Sequence, residues 1–310
     1  MHDDLPKSGR CAIVGRPNVG KSTLLNTLLG QKLAISSSRP QTTRNCILGV
    51  HVTESPATQI AFIDTPGLHR PHNALGRAIQ ENAKTALQGA DVIVMMVEVE
   101  ASTRAEDFLR SGPDAEVLQQ LQQVGTPLVL AMNKVDRLKE KALLFPFLEA
   151  AQALECFAAL VPISARRGTN VQGLLVEIRK HLNEGLLYPP DMLTDRPERF
   201  FVAELVREAI IAQTQKEVPY SVAVVVDTFE DEGNLSRIQA TIVVPKDSHK
   251  GILIGKGGAR LKAIGTAARM EAEALLERKV YLKLWVKVMD DWTNQPARVR
   301  ELVGTEEQDP

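Results

Sequence analysis

Several short runs in this chain place phosphate-binding and base-reading residue types at the spacings that chemistry needs. Gly15-Arg16-Pro17-Asn18-Val19-Gly20-Lys21-Ser22 fits G-x-x-x-x-G-K-S/T, between the apolar run Cys11–Val14 and a helix-like stretch holding Leu24, Leu25, Leu28 and Leu29. Glycines there let backbone N–H groups turn inward around phosphates, and a helix start adds partial positive charge. Lys21 is placed to reach β- and γ-phosphates, and the Ser22 hydroxyl to ligate Mg2+. Asp64-Thr65-Pro66-Gly67 follows the run Gln59–Ile63; Asp64 is a candidate Mg2+ carboxylate, and the Gly67 N–H can sense a γ-phosphate.

Asn133-Lys134-Val135-Asp136 follows another apolar run, Leu128–Met132. Asp136 can accept hydrogen bonds from guanine N1–H and the 2-amino group. Adenine lacks both donors, so it would leave a desolvated carboxylate unpaired. Asn133 is expected to tie this loop to the phosphate loop and the base, and Lys134 to cover the base face. Downstream, Ser164-Ala165 follows the run Leu160–Ile163, where the Ala165 N–H can meet guanine O6.

A different chemistry is encoded near the C-terminus. Gly255-Lys256-Gly257-Gly258 stands between two helix-like segments, a G-x-x-G arrangement that lets a sugar-phosphate backbone approach closely. Residues 246–269 carry Lys246, Lys250, Lys256, Arg260, Lys262 and Arg269 against Asp247 alone, a local basic patch suited to RNA phosphates. The candidate RNA-contacting residues are Lys250, Ile254, Gly255, Lys256, Gly257, Gly258, Arg260 and Lys262. Ile252, Leu253, Ile254 and Ile264 are expected to pack the core and partly floor a groove. Trp285 and Trp292 can stack on bases, but Trp285 lies in a β-rich run and reads as core.

The elements that must position these residues come in two patterns. Up to Gly185, apolar runs including Val92–Val97 alternate with loops and helix-like stretches, which predicts a mostly parallel sheet with helices on both faces. Ligands of such sheets sit at the carboxyl ends of the strands. Leu186–Pro197, with Tyr188-Pro189-Pro190-Asp191 and Arg196-Pro197, reads as a linker. Beyond it the order is helix (Phe201–Ala212), strand (Tyr220–Phe229), strand (Ile238–Val244), short apolar piece (Gly251–Ile254), glycine loop, helix (Leu261–Glu277), strand (Tyr281–Met289), an α+β pattern. The expected boundaries are 1–185, 186–197 and 198–296, then a C-terminal tail, 297–310, whose last segment, Glu301–Pro310, is polar, acidic and expected to fray.

Composition restricts the function classes. At 310 residues with 44% hydrophobic and 24% charged residues, the chain has the make-up of a soluble two-domain protein. The formal net charge of −1 means that any basic surface is local. Cys11, Cys46 and Cys156 are far apart and offer neither a disulfide framework nor a metal site, which fits a reducing cytosol. The polar N-terminus is unlike a signal peptide, and no apolar run approaches the ~20 residues that span a bilayer.

Taken in order, Gly-x-Pro-Asn-x-Gly-Lys-Ser, Thr-Thr-Arg, Asp-Thr-Pro-Gly, Asn-Lys-Val-Asp and Ser-Ala resemble a translation-factor-class small GTPase, and most nearly the Era family. The likeness extends over the whole chain, including the linker and Pro219-Tyr220-Ser221. It implies an α/β P-loop GTPase domain followed by an α+β type II KH domain. It also implies that Gln41-Thr42-Thr43-Arg44 lies in the first switch loop, with Thr43 closing over Mg2+ and the γ-phosphate. Family members commonly carry His after that arginine, where this chain has Asn45.

Leu68 stands where many GTPases place a water-orienting Gln, and His69 and His72 read equally as loop residues. Slow intrinsic turnover is therefore expected, carried by Lys21, Gly67, Thr43, Mg2+ and backbone N–H groups. Asn18 is expected to help hold a K+ ion beside the phosphates, as in potassium-stimulated relatives. The partners that the resemblance implies are GTP and GDP, the 3′ end of 16S ribosomal RNA, the 30S subunit during its assembly, and the inner-membrane surface. The expected state is a cytoplasmic monomer. The competing readings are a regulatory GTPase acting at the membrane and an RNA-binding scaffold without enzymatic activity.

Overall fold

The computed structural model describes residues 5–35, 43–67, 71, 73–99, 104–189, 191–215 and 218–303. Leu68, His69, His72 and the Gln41-Thr42 pair lie outside them. Contacts divide the chain into two units. The first holds Met1–Ala34, Cys46–His69 and Gln80–Asp195; the second holds Ile35–Asn45, Arg70–Ile79 and Arg196–Pro310.

The first unit is built on a seven-stranded sheet. Its strands are β1 (Lys7–Gly15), β2 (Ile47–Glu54), β3 (Ala57–Asp64), β4 (Val92–Glu98), β5 (Leu128–Asn133), β6 (Ala159–Pro162) and the short β7 (Asn183–Glu184). The order is β2-β3-β1-β4-β5-β6, with β7 beside β1. All pairings among β3, β1, β4, β5 and β6 are parallel, while β2 runs antiparallel to β3. The central strands are buried along their length, as a sheet covered on both faces requires. Helices α1 (Lys21–Leu29), α2 (Ala74–Gln88), α3 (Gly112–Gln122), α4 (Phe145–Gln152) and α5 (Val171–Arg179) connect the strands. α2 starts within the stretch 70–79 that groups with the second unit. One apolar cluster joins β4 and β5 to α3 and α4 through Met95, Val97, Leu121, Leu130 and Phe147.

The sequence pattern does not reveal β2, because its burial is irregular and Gly49 interrupts it. Gly49 has a packing reason: a Cβ there would come within 2.4 Å of Leu29 Cδ1. The linker also has a home. Gln59 Oε1 accepts from the N–H groups of Leu187 and Tyr188 (both 3.1 Å), and Val50 N donates to Leu193 O (2.8 Å). These bonds give the linker the backbone partners that its own prolines cannot supply.

The second unit has a three-stranded sheet in the order β10-β9-β8. These strands are β8 (Ala223–Asp231), β9 (Leu235–Val244) and β10 (Lys279–Val288). β8 is antiparallel to β9, and β10 is parallel to it. Helices α6 (Glu198–Gln213), α7 (Asp247–Ile254) and α8 (Ala259–Leu276) supply the helical layer. Val206, Ile210, Ile242, Val244, Leu253 and Ile264 form its core. The expected short apolar piece Gly251–Ile254 is the last turn of α7. The expected start of a strand at Tyr220 is a 3-10 turn, Val218–Tyr220.

Two expectations are corrected here. Residues 296–303 form a helix, α9 (Pro296–Val303), where a tail was expected from 297 and fraying from 301. Its Val299 and Val303 are buried with Trp292, Ala223 and Val243, so an apolar stripe holds it. The two tryptophans also exchange roles. Trp292 is fully buried and donates from Nε1 to Ser221 O (3.1 Å), whereas Trp285 is 49% exposed on the outer face of β10. The outer face of an edge strand alternates with the buried one, so β-richness alone could not tell the two apart.

Candidate functional site

The phosphate loop is the turn from β1 into α1. Gly15 (φ 153°), Asn18 (φ 67°) and Gly20 (φ 106°) all have positive φ. A Cβ on Gly15 would meet Met96 O at 2.3 Å, and one on Gly20 would meet Asn133 Nδ2 at 2.4 Å, so both glycines are sterically required. Val19 is buried, and Pro17 packs against Gly67, where a Cβ would come within 2.8 Å of the proline ring. This close approach brings the Asp64-Thr65-Pro66-Gly67 run onto the loop. Thr65 Oγ1 donates to Ile13 O (2.8 Å) and Gln80 Nε2 to Gly67 O (3.1 Å), fixing that run from both sides. Arg16 is tied outward to Asp114 (2.7 Å).

Lys21 is buried, and its ammonium donates to Gly15 O (3.0 Å) and Arg16 O (2.9 Å). Burial lowers its pKa to about 8, against the raising effect of Asp64. The Ser22 hydroxyl donates to Asp64 Oδ2 at 2.7 Å. A hydroxyl and a carboxylate in direct contact beside a buried cation form an all-oxygen donor pair suited to a hard divalent cation, so the residues present fit Mg2+. Thr43, the third expected ligand, is buried and groups with the second unit. In that unit its neighbour Arg44 donates to Pro219 O (3.2 Å) and to Val222 O.

The base-reading loops meet at Asn133. Its Nδ2 donates to Val19 O (2.7 Å), and its Oδ1 accepts from the Ala165 N–H (2.9 Å). One side chain thus joins the phosphate loop to the Ser164-Ala165 turn. The Ala165 N–H, expected to face guanine O6, is engaged by Asn133, and Thr27 Oγ1 donates to Ala165 O (2.7 Å). Asp136 accepts from Ser164 Oγ (2.6 Å), which is the first cause holding its pKa below the ordinary value. The carboxylate is therefore ionised and oriented to accept a base edge. Lys134 (φ 66°) pairs with Glu98, which also binds Arg137 (2.9 Å). Glu98 was not legible in the sequence; its only signal is its place at the carboxyl end of β4.

The glycine loop of the second unit follows α7. Gly255, Gly257 and Gly258 all have positive φ (70°, 59° and 78°), a backbone that L side chains rarely adopt. A groove of about 400 Å³ runs from this loop between α8 and β10, lined by Gly258, Leu261, Lys262, Gly265, Thr266, Arg269, Leu282, Lys283 and Leu284. Of the residues expected to touch RNA, Gly258 and Lys262 line it. Lys250, Ile254, Gly255, Lys256, Gly257 and Arg260 lie on α7, the loop or the first turn of α8. Leu253 and Ile264 are core as expected, whereas Ile252 is exposed and the leucines that line the groove are Leu261, Leu282 and Leu284. Gly265 was the available signal, because glycine inside a helix is unfavourable without a close-approach reason. β10 is the sheet edge, so backbone groups along its free side can meet base edges in the groove.

A phosphate loop, a Ser22–Asp64 oxygen pair and an oriented carboxylate at Asp136, set on a mostly parallel sheet, define a P-loop GTPase domain, here followed by a KH domain. A model of the 50S ribosome-binding GTPase family matches residues 10–134, and a KH-domain model matches residues 217–293. The chain is 45% identical to the GTPase Era of Trichlorobacter lovleyi over 304 residues, 97% of this chain and 99% of the relative. It is 46% identical to that of Syntrophus aciditrophicus over 298 residues, 95% of this chain and 94% of the relative. A crystal structure of Era with MgGDPNP and nucleotides 1506–1542 of 16S ribosomal RNA superposes with a TM-score of 0.89 at 40% identity, covering 97% of this chain and 99% of that one. A single-substitution variant of Aquifex aeolicus Era bound to GDP.AlF4- also superposes at 0.89 and 40% identity, covering 96% and 99%. The chain belongs to the Era family of GTPases.

Two outcomes follow from the site. Phosphates favour the charged form of Lys21, so nucleotide binding takes up a proton once the pH exceeds about 8. GTP affinity is expected to be level below that value and to fall above it by up to about tenfold per pH unit, as read by calorimetry in buffers of different ionisation enthalpy. Asp136→Asn is expected to weaken GTP binding by about tenfold to a hundredfold while raising affinity for xanthosine triphosphate, whose 2-oxo group suits an amide donor. Nucleotide competition measures both.

Proposed function

We propose that this GTPase binds the 3′ end of 16S ribosomal RNA in its KH groove and acts in assembly of the small ribosomal subunit. The observation that carries the reading is the groove itself: apolar Leu261, Leu282 and Leu284 beside Lys262, Arg269 and the glycine loop, the surface a short single strand needs. The likeness to Era crystallised with a 16S ribosomal RNA fragment supports the same target.

Ser22 and Asp64 are the residues that would hold Mg2+. That ion supplies charge neutralisation at the phosphates and orients them. The chain's own contribution is the Lys21 ammonium, the amides of the phosphate loop, and the approach of Gly67 to Pro17 that fixes the Asp64-Thr65-Pro66-Gly67 run. Asn18 is exposed at a positive φ, at the rim of the loop where K+ would add the charge an arginine supplies elsewhere. The reading places the protein in the cytoplasm as a monomer, with peripheral contact at the membrane surface as the alternative; cell fractionation and light scattering test both. Among the described residues no helix is long and apolar enough to cross a membrane.

Gly265→Leu tests the groove. A Cβ at position 265 meets Leu284 Cδ1 at an ordinary 3.5 Å, so the helix tolerates the change while the longer side chain fills the groove. Binding of an RNA from the 3′ end of 16S ribosomal RNA is expected to drop at least about tenfold, the worth of one seated base, with GTP hydrolysis retained. Unchanged RNA affinity would place the strand elsewhere. For K+, single-turnover hydrolysis is expected to be faster in KCl than in NaCl, and Asn18→Ala is expected to erase the difference. Equal rates in the two salts would remove the ion from the account.

A further inference from the structure

We propose that the outer face of β10 is a second track for the same RNA strand, which stacks its bases there after leaving the groove. This rests on the groove reading above. Along β10 the outward residues are Lys279, Tyr281, Lys283, Trp285 and Lys287, all exposed and alternating cation with aromatic. The alternate residues point inward, and Leu282, Leu284 and Val286 pack against the core beneath. Tyr281 is 52% and Trp285 is 49% exposed, while the protein's other tryptophan is fully buried. Lys283 Nζ sits 4.5 Å from the Trp285 ring centre, and the Arg237 guanidinium 5.8 Å from that of Tyr281.

Lysines on an edge strand have a bland reading, since they deter strand-to-strand pairing. That reading does not account for two large aromatic faces left in water between them. Aromatic faces flanked by cations are the surface on which single-stranded bases stack while phosphates find charge. The neighbouring residues narrow the track. Farther along the same sheet, Val243 and Ala223 are covered by Trp292 and Val299. On the β8 side stand Asp227, which accepts from Thr241 Oγ1 (2.8 Å), and Glu230, opposite Arg237. Arg237 is itself paired with Glu232 (2.8 Å), so the net positive charge lies with the β10 lysines. Acid on one flank and basic aromatics on the other confine a polyanion to β10. Continuity with the groove runs through Lys283, which lines the groove wall and also stands over Trp285.

The test uses full-length protein with a non-hydrolysable GTP analogue and two RNAs from the 3′ end of 16S ribosomal RNA, a tetramer and a dodecamer that extends it. Only Trp285 is exposed among the protein's two tryptophans, so stacking there reads as fluorescence quenching that Trp285→Phe removes. The dodecamer is expected to quench and the tetramer not to. Tyr281→Ala with Trp285→Ala is expected to weaken the dodecamer about tenfold to a hundredfold and leave the tetramer unchanged. Lys283→Glu is expected to weaken the dodecamer and flatten its salt dependence. If the dodecamer binds with no quenching and the double variant binds it normally, the track is wrong and the groove stands. If neither RNA binds the wild type, the groove reading fails and takes the track with it.

Discussion

The nucleotide site depends on one side-chain amide. Asn133 donates to the Val19 carbonyl of the phosphate loop and accepts from the Ala165 N–H of the base-reading turn. It also packs so closely on Gly20 that no side chain fits there. Both bonds are buried, where an unmet amide costs more than it would in water. Loops after β1, β5 and β6 are thereby held as one object. The phosphate grip and the base-reading carboxylate then share a fixed separation, which lets a single ligand satisfy both.

Around that amide, electrostatics divide the labour. Lys21 is kept buried at the cost of a lowered pKa, held by loop carbonyls until a polyanion can satisfy it. Asp136 goes the other way: a hydroxyl bond from Ser164 lowers its pKa and orients it. Lys134 is steadied by Glu98, so the residue expected over the base has an anchor on the neighbouring strand. In the second unit the same logic is spread over a surface. There β10 carries Lys279, Lys283 and Lys287 and no acid, while β8 carries Asp227, Glu230 and Asp231.

Much of this is legible in the amino-acid sequence alone. The loop glycines, Lys21, Ser22, Asp64, Asn133 and Asp136 announce themselves because phosphate and guanine chemistry leaves few substitutes at those spacings. The central strands were legible because full burial makes them continuous apolar runs. β2 was not, since its role is to edge the sheet with an irregular pattern around Gly49. α9 was missed because eight residues with a polar exposed side look like a tail until Val299 and Val303 meet Trp292. The groove lining was missed for a deeper reason: it joins a helix to a strand that follows it, and only tertiary packing says which faces meet. The tryptophan exchange has the same origin, because a strand's alternation does not announce which face is inside.

Titration of the Asn133→Ala protein with GTP and with ATP tests the central claim most directly. With the clamp removed, GTP affinity should fall at least about tenfold, the cost of losing a buried two-sided amide, and the preference for GTP over ATP should shrink along with it. A variant that is folded, binds GTP as tightly as the parent and keeps full purine selectivity would contradict the account.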